Sequence, residues 1–240
     1  MKKIVILAFV FVVAAFALSA DVYVKIKTHT DAFSMMGQDQ PAKDEIAEHW
    51  IAPGKLANLS AERSFIMDGA NKMMYIINNT DKSYVAAPLP LDMSSIIPKE
   101  AAPMLAMMKM TVKVNPNGQT KQIGRWNCTG YDVDMNMMMM QMKMTVWAST
   151  DVPFDWRMFG EMYSNVSKMQ FMDDASIAEF KKIQGYQIAT DMTMNVMGAN
   201  MKMTTLVEEM ATKPAPAGVY AVPAGYTKKE SLSLQDLQQK

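Results

Sequence analysis

Residues 130–147 read G-Y-D-V-D-M-N-M-M-M-M-Q-M-K-M-T-V-W, and their polarity repeats every second residue. Tyr131, Val133, Met135 and Met137 alternate with Asp132, Asp134 and Asn136; beyond them the apolar set moves to Met138, Met140, Met142, Met144 and Val146. A period of two is the signature of a half-buried strand and is incompatible with the 3.6-residue period of a helix. A one-residue slip would carry every side chain to the opposite face, so the change of phase marks a turn or bulge. The stretch is therefore expected to form a methionine-lined β-hairpin. A second hairpin is expected from Tyr186, Ile188, Met192, Met194 and Val196, with a turn over residues 198–200 and a return through Met201, Met203 and Val207.

The methionines are the compositional outlier. There are 28 in 240 residues, several times ordinary usage. Three readings are open. Methionine is an adaptable core filler, because its unbranched thioether fits irregular gaps. The same plasticity suits the wall of an apolar cavity that takes variable ligands. Thioethers also favour soft ions such as Cu(I) or Ag(I), which would involve Met138, Met140, Met142 and Met144. Those four would project from one strand face about 6.6 Å apart at successive positions, so a shared ion requires cross-strand or bulge geometry. Oxidation of exposed thioethers is a further possibility.

The first 20 residues have the layout of a secretory signal. Lys2 and Lys3 precede an apolar run over residues 4–18, and Ser19 and Ala20 follow. The run is shorter than the roughly 20 residues that span a bilayer, and no later stretch is long and uncharged enough to do so. Cleavage is expected after Ala17 or Ala20, with no cysteine behind either to carry a lipid. A periplasmic protein without a lipid anchor or integral span is the expectation. Losing Lys2 and Lys3 leaves 22 basic against 24 acidic side chains, a formal charge of −2. That balance gives no electrostatic reason to bind nucleic acid or an anionic membrane. Cys128 is single, so no internal disulfide exists and stability must come from burial.

Residues 22–30 read as a first strand and residues 44–51 as a second, after a polar loop reaching 43. Strands at 56–59, 64–67, 73–77 and 83–87 follow, separated by short turns such as Pro53-Gly54 and the run 68–71, a meander of antiparallel strands. Prolines at 88, 90, 98 and 103 restrict residues 88–110 to short helices. Strand character at 111–114, a turn at 115–118 and a resumption through Trp126 lead into the methionine hairpin. From 155 to 170, Met158, Phe159, Met162, Tyr163, Val166 and Met169 recur at spacings of three and four, an amphipathic helix. Ser176 with Glu179 suggests a capping box for a short helix that Gly185 would end. A final extended strand is expected in the proline-containing tail.

Catalytic chemistry finds little support. If the first two strands pair, His49 lies opposite residue 24, about 17 Å along the sheet from His29, too far for a shared metal or proton. G-x-S-x-G, H-E-x-x-H, C-x-x-C and phosphate-cradling glycine loops are all absent from the sequence. Asp132 with Asp134 reads as a solvated strand face, and Asp173 with Asp174 as charge at a helix start. A non-enzymatic protein without a cofactor is expected. Trp50, Trp126, Trp147 and Trp156 read as core residues, or as the rim of a cavity.

The segments E-I-A-E-H-W-I (45–51) and N-K-M-M-Y-I-I-N-N-T-D-K-S-Y (71–84), Trp147 after the hairpin and P-A-G-Y (223–226) resemble a family of exported bacterial proteins of unknown function. That family looks related in fold to the LolA and LolB lipoprotein carriers. The resemblance implies one α+β domain over residues 21–240, a strongly curved antiparallel sheet forming an unclosed barrel. Helices at 91–109 and 155–183 would cover its concave face. It also implies a hydrophobic ligand, a lipid or a lipoprotein acyl chain. In that reading the cavity wall comprises Met135, Met137, Met138, Met140, Met142, Met144, Trp147, Met192, Met194, Met201 and Met203. A structural envelope protein without a ligand is the remaining alternative, and no protein partner is identifiable.

Overall fold

The computed structural model describes residues 21–35, 37–101, 109–137, 140–170, 172–196, 199–233 and 236. The expected signal lies outside them. A meander of eight strands comes first: β1 (Asp21–Thr30), β2 (Phe33–Met35), β3 (Gln38–Gln40), β4 (Lys43–Ala52), β5 (Lys55–Ser60), β6 (Arg63–Asp68), β7 (Met73–Asn78) and β8 (Ser83–Pro88). Two single 3-10 turns, Met93–Ser95 and Lys99–Ala101, lead to β9 (Met110–Ile123), β10 (Trp126–Met137) and β11 (Met140–Ser149). Helices α1 (Trp156–Met169) and α2 (Asp174–Phe180) precede β12 (Tyr186–Val196), β13 (Ala199–Lys213) and the short β14 (Thr227–Lys229).

Among the described residues, twelve strands form one sheet in the order β14-β8-β7-β6-β5-β4-β1-β13-β12-β11-β10-β9. Every pairing is antiparallel except that of β14 with β8. The two ends, β9 and β14, are not paired with each other, so the sheet is open. It is also curled. Three inter-strand spacings separate β4 from β12, about 14 Å in a flat sheet, yet His49 Nδ1 lies 2.7 Å from the Tyr186 hydroxyl.

Local chemistry explains the meander. Gly54 turns β4 into β5 at φ +71°, where a Cβ would be strained. The Asp68 carboxylate accepts the Asn71 backbone and side-chain N–H groups at 3.0 and 2.8 Å and closes the next turn. In β6 and β7 the buried residues Ile66 and Ile77 belong to one cluster and Met67 and Met74 to another, so this half of the sheet is buried on both faces. One cluster continues into α1; the other joins Tyr23, Trp50 and Ala57 and is covered by Ala215, Val219, Tyr220, Val222 and Tyr226 of the tail. The Tyr220 hydroxyl donates to Asp21 at 3.0 Å, and that of Tyr226 to Asn79 at 3.1 Å.

Several local expectations are corrected. The loop after β1 contains a small hairpin, β2 with β3. Residues 115–118 make no turn: β9 runs through them, and the register shift opposite residues 129 to 131 absorbs the extra length as a bulge near Gly118, which has φ +72°. The turn comes instead at Gly124 and Arg125. Asn200 belongs not to a turn but to β13, where it pairs with Asn195. The short helix is capped by Asp173, which accepts the Ser176 N–H at 2.8 Å, because aspartate three residues earlier competes for the same orphan donors. Ser176 and Glu179 are thereby free to bind the edge strand: the Ser176 hydroxyl donates to the Met110 carbonyl at 2.9 Å and Glu179 accepts the Val114 N–H at 2.9 Å. Of the stretch expected to hold the first covering helix, residues 102–108 lie outside the described residues, and the rest holds only the 3-10 turns.

Two glycines make opposite predictions. A Cβ on Gly185, whose φ is +110°, would stand 2.4 Å from the Ser149 carbonyl oxygen, whereas one on Gly160, within α1, meets nothing within 4 Å. Gly185→Ala is expected to lower unfolding free energy by about 2 kcal/mol or more. Gly160→Ala should raise it by about 0.5–1 kcal/mol. Urea unfolding of both variants checks the signs.

Candidate functional site

The strand register aligns methionines in rows. Met135 of β10 opposes Met142 of β11, Met142 opposes Met194 of β12, and Met194 opposes Met201 of β13. Two residues along, on the same face, Met144 opposes Met192 and Met192 opposes Met203. Nearer the hairpin ends Met137 pairs with both Met140 and Met110. The reverse face of these strands is polar: Asp132, Asp134, Lys143, Asp191, Thr193 and Lys202 are exposed. Further down the strands the methionine face gives way to Val114, Val133, Val146 and Tyr131, all buried.

Against this face lies a cavity of about 950 Å³. Its sheet wall comprises Ile26, Ala47, Met110, Met135, Met137, Met142, Met144, Ile188, Ala189, Met192 and Met203. Phe159, Tyr163, Ile177 and Phe180 of the helices also line it. Helix α1 arises from the three-and-four spacing, starts where Asp155 accepts the N–H groups of Arg157 and Met158, and packs Phe159, Met162, Tyr163 and Met169 against the core. Asn165 on α1 accepts the Leu91 N–H at 2.9 Å, tying the helix to the segment after β8. The charged lining residues Arg157, Glu161 and Lys181 are exposed, so they belong to the rim. This volume is at the upper end of the roughly 300–1,000 Å³ usual for small-molecule sites.

Half-buried polar residues in the lining include Asn58, Ser164, Ser167, Thr190 and Thr205. Thr190 and Thr205 oppose each other on β12 and β13, and the Thr205 and Thr28 hydroxyls are 3.2 Å apart. His49 is buried, bonded to Tyr186, and ringed by Phe159, Tyr163 and Tyr186 at centroid distances of 6.1, 6.4 and 6.2 Å. Burial pulls its pKa down to about 4, so the imidazole is neutral at neutral pH. Burial likewise raises the phenol pKa values of Tyr163 and Tyr186.

Of the residues expected at a cavity, Met135, Met137, Met142, Met144, Met192 and Met203 line it. Met194 packs beside them, Met201 is buried in the same cross-strand row, and half-buried Met140 pairs with Met137, but none of the three is in the lining. Met138 lies outside the described residues. Trp147 does not line the cavity. Alternation puts it on the other side of β11 from Met142, Met144 and Val146, where it is buried with Trp126 and Cys128 in one cluster, under the Lys121 ammonium at 5.4 Å. Of the single-strand set for a metal, Met140, Met142 and Met144 follow one another along β11, each nearer to a cross-strand methionine than to the next.

Sequence reasoning missed the aromatic end of the site. Counting along the hairpin puts His49 opposite residue 24, and it does pair with Val24. Its contact with Tyr186, 137 residues away, arises from the curl of the sheet. The available signal was the position of His49 in step with Ile51 on a strand whose partners are apolar.

The chain matches over residues 43–226 a family described as a domain of unknown function (DUF4412), and it belongs to that family. No curated protein matches it at a significant level.

His49 makes stability depend on pH. Its folded pKa of about 4 lies below the ordinary histidine value of 6.5, so between those values the unfolded chain binds the extra proton. Stability is full above pH 6.5 and falls towards pH 4, by about 3 kcal/mol for this group alone. Urea unfolding at a series of pH values should show a steeper loss for the wild type than for His49→Gln. Parallel profiles would show that His49 does not titrate in this way.

Proposed function

We propose that this member of the DUF4412 family is a non-enzymatic, periplasmic binding or carrier protein for a hydrophobic ligand of lipid or acyl-chain type. In this reading α1 and α2 cover the concave face of an unclosed, LolA-like barrel, and the ligand lies between them and the methionine face. One observation carries the proposal: the apolar cavity of about 950 Å³ whose wall is methionine on one side and aromatic on the other.

The chemistry of the wall favours such a ligand. Charge is confined to the exposed rim, and His49 is neutral, so an alkyl chain entering the cavity displaces water without desolvating an ion. Methionine side chains re-pack around chains of differing length because they have several flexible torsions. Polar groups at Thr190, Thr205, Asn58 and His49 provide a few points at which a ligand's polar end is orientable. The expected signal over residues 1–20 supports export.

Native mass spectrometry of protein purified from its own host, beside the same sample denatured and extracted, tests the proposal. A retained mass of lipid size that is released on denaturation is expected. Met135→Asp with Met192→Asp places carboxylates in the wall and should weaken uptake of a fluorescent fatty acid by about tenfold or more. A bare polypeptide mass together with no uptake of the fatty acid would refute the carrier reading.

A further inference from the structure

We infer that the methionine face holds a binding site for a soft monovalent cation, Cu(I), formed by the four thioethers of Met142, Met144, Met192 and Met194. This goes beyond the hydrophobic-ligand reading and does not depend on it.

The four residues make a two-by-two patch on adjacent strands. Met142 stands opposite Met194 and Met144 opposite Met192 in unbroken register, with both members of each strand on one face. Opposite Cβ atoms are about 5 Å apart and same-face neighbours along a strand about 6.6–7 Å. The patch centre is therefore about 4 Å from each Cβ in the plane of the sheet. A methionine sulfur stands two bonds beyond its Cβ on rotatable torsions, so all four sulfurs can converge above that centre. No single strand offers this, because its own same-face neighbours are too far apart for more than two to share an ion.

Residue choice supports a role for sulfur itself. Strand positions favour β-branched side chains, and this sheet uses Val114, Val133 and Val146 on the same face a few residues away. Methionine replaces them where the face borders the cavity, and Met144, Met192 and Met194 remain half-buried, so an ion can reach them. The donor set also selects the ion. Thioethers are neutral and soft, and among the described residues no group of three or more His, Cys, Asp or Glu is placed to hold a metal. A site without compensating negative charge penalises a divalent ion far more than a monovalent one, since desolvation cost rises with the square of the charge. Cys128, the thiol of the chain, is buried in a different cluster, with Trp126 and Trp147.

The test is an anaerobic titration of the purified protein with Cu(I) in competition with a chromophoric Cu(I) chelator, followed by X-ray absorption of the copper-loaded protein. One Cu(I) per chain with a sulfur-only coordination shell is expected. Met142→Leu, Met144→Leu, Met192→Leu and Met194→Leu combined should weaken Cu(I) binding by about 100-fold or more. Leucine removes the sulfur while preserving apolar volume; Cu(I) binding and fatty-acid uptake are measured separately on the unaltered protein, so failure of one reading leaves the other standing. Should the fourfold variant not fold, the doubles Met142→Leu/Met144→Leu and Met192→Leu/Met194→Leu each serve, with the same loss expected. Cys128→Ser should bind Cu(I) as the wild type does. Failure to compete with the chelator, unchanged binding in the leucine variants, or loss of binding in Cys128→Ser would each overturn the site.

Discussion

The structure depends on β1. This strand pairs on one side with β4, the next strand of the same sheet along the chain, and on the other with β13, which follows more than 170 residues later. The chain thereby joins two separately plausible meanders, β4 to β8 and β9 to β13, into one sheet. Val24 stands between His49 and Met210, and its side chain is fully buried. The register fixed here aligns everything that matters on both sides. A shift of one residue along β13 would turn the row of Met203, Met192 and Met144 outward and bring Lys202, Thr193 and Lys143 inward. The bulge between Lys25 and Ile26 lets β13 change phase once and still present Val207 and Met210 to the core.

The two halves that β1 joins are finished differently. Strands β5 to β8 are buried on both faces, by α1 and the inner core on one side and by the tail from Ala215 to Tyr226 on the other. Such strands have little room to move. Their far edge is closed by β14, and the tail is fastened there by Arg63, whose guanidinium donates to the Asp236 carbonyl, and by Asn78, which donates to the Asp236 carboxylate at 2.7 Å. Strands β10 to β13 carry a polar outer face behind the methionine rows, and their inner face there is only partly filled. At their edge, β9 is held by α2 through Glu179 and Ser176, a contact that satisfies main-chain groups a free edge would otherwise expose.

Much of the sheet was legible because alternation and turn chemistry are local. The strands from β4 to β8, both methionine hairpins and the amphipathic helix are written in spacing, and the pairing of His49 with residue 24 follows from counting along a hairpin. What was illegible is what depends on distant partners. Whether residues 115–118 form a turn or a bulge is decided by β10, against which β9 continues. That Ser176 and Glu179, once Asp173 has capped α2, bond to β9 depends on a strand some 65 residues away in sequence. Trp147 is a different case: it ends a methionine strand, but its odd position after Val146 sends it to the other side, a placement the alternation already contains. The candidate cavity was legible as a methionine face and illegible at its aromatic end, since the approach of His49 to Tyr186 requires the curl of the whole sheet.

The distribution of side-chain types follows from this division. Where the sheet is filled on both faces, β-branched and aromatic residues such as Ile66, Ile76, Ile77, Val85 and Trp50 lock single rotamers and make close packing rigid. Where the inner face borders an open volume, rigid side chains would leave fixed gaps, each of which costs contact energy. Methionine tolerates that situation because its torsions adjust to whatever occupies the space. The same flexibility is what lets four sulfurs on two strands converge on a point. A strand face built of valine would serve as core and nothing else. On β11 methionine takes over from valine and alanine at the row of Met144, Met192 and Met203, all three of which line the cavity, and this ties part of the unusual composition of the chain to one face of the sheet.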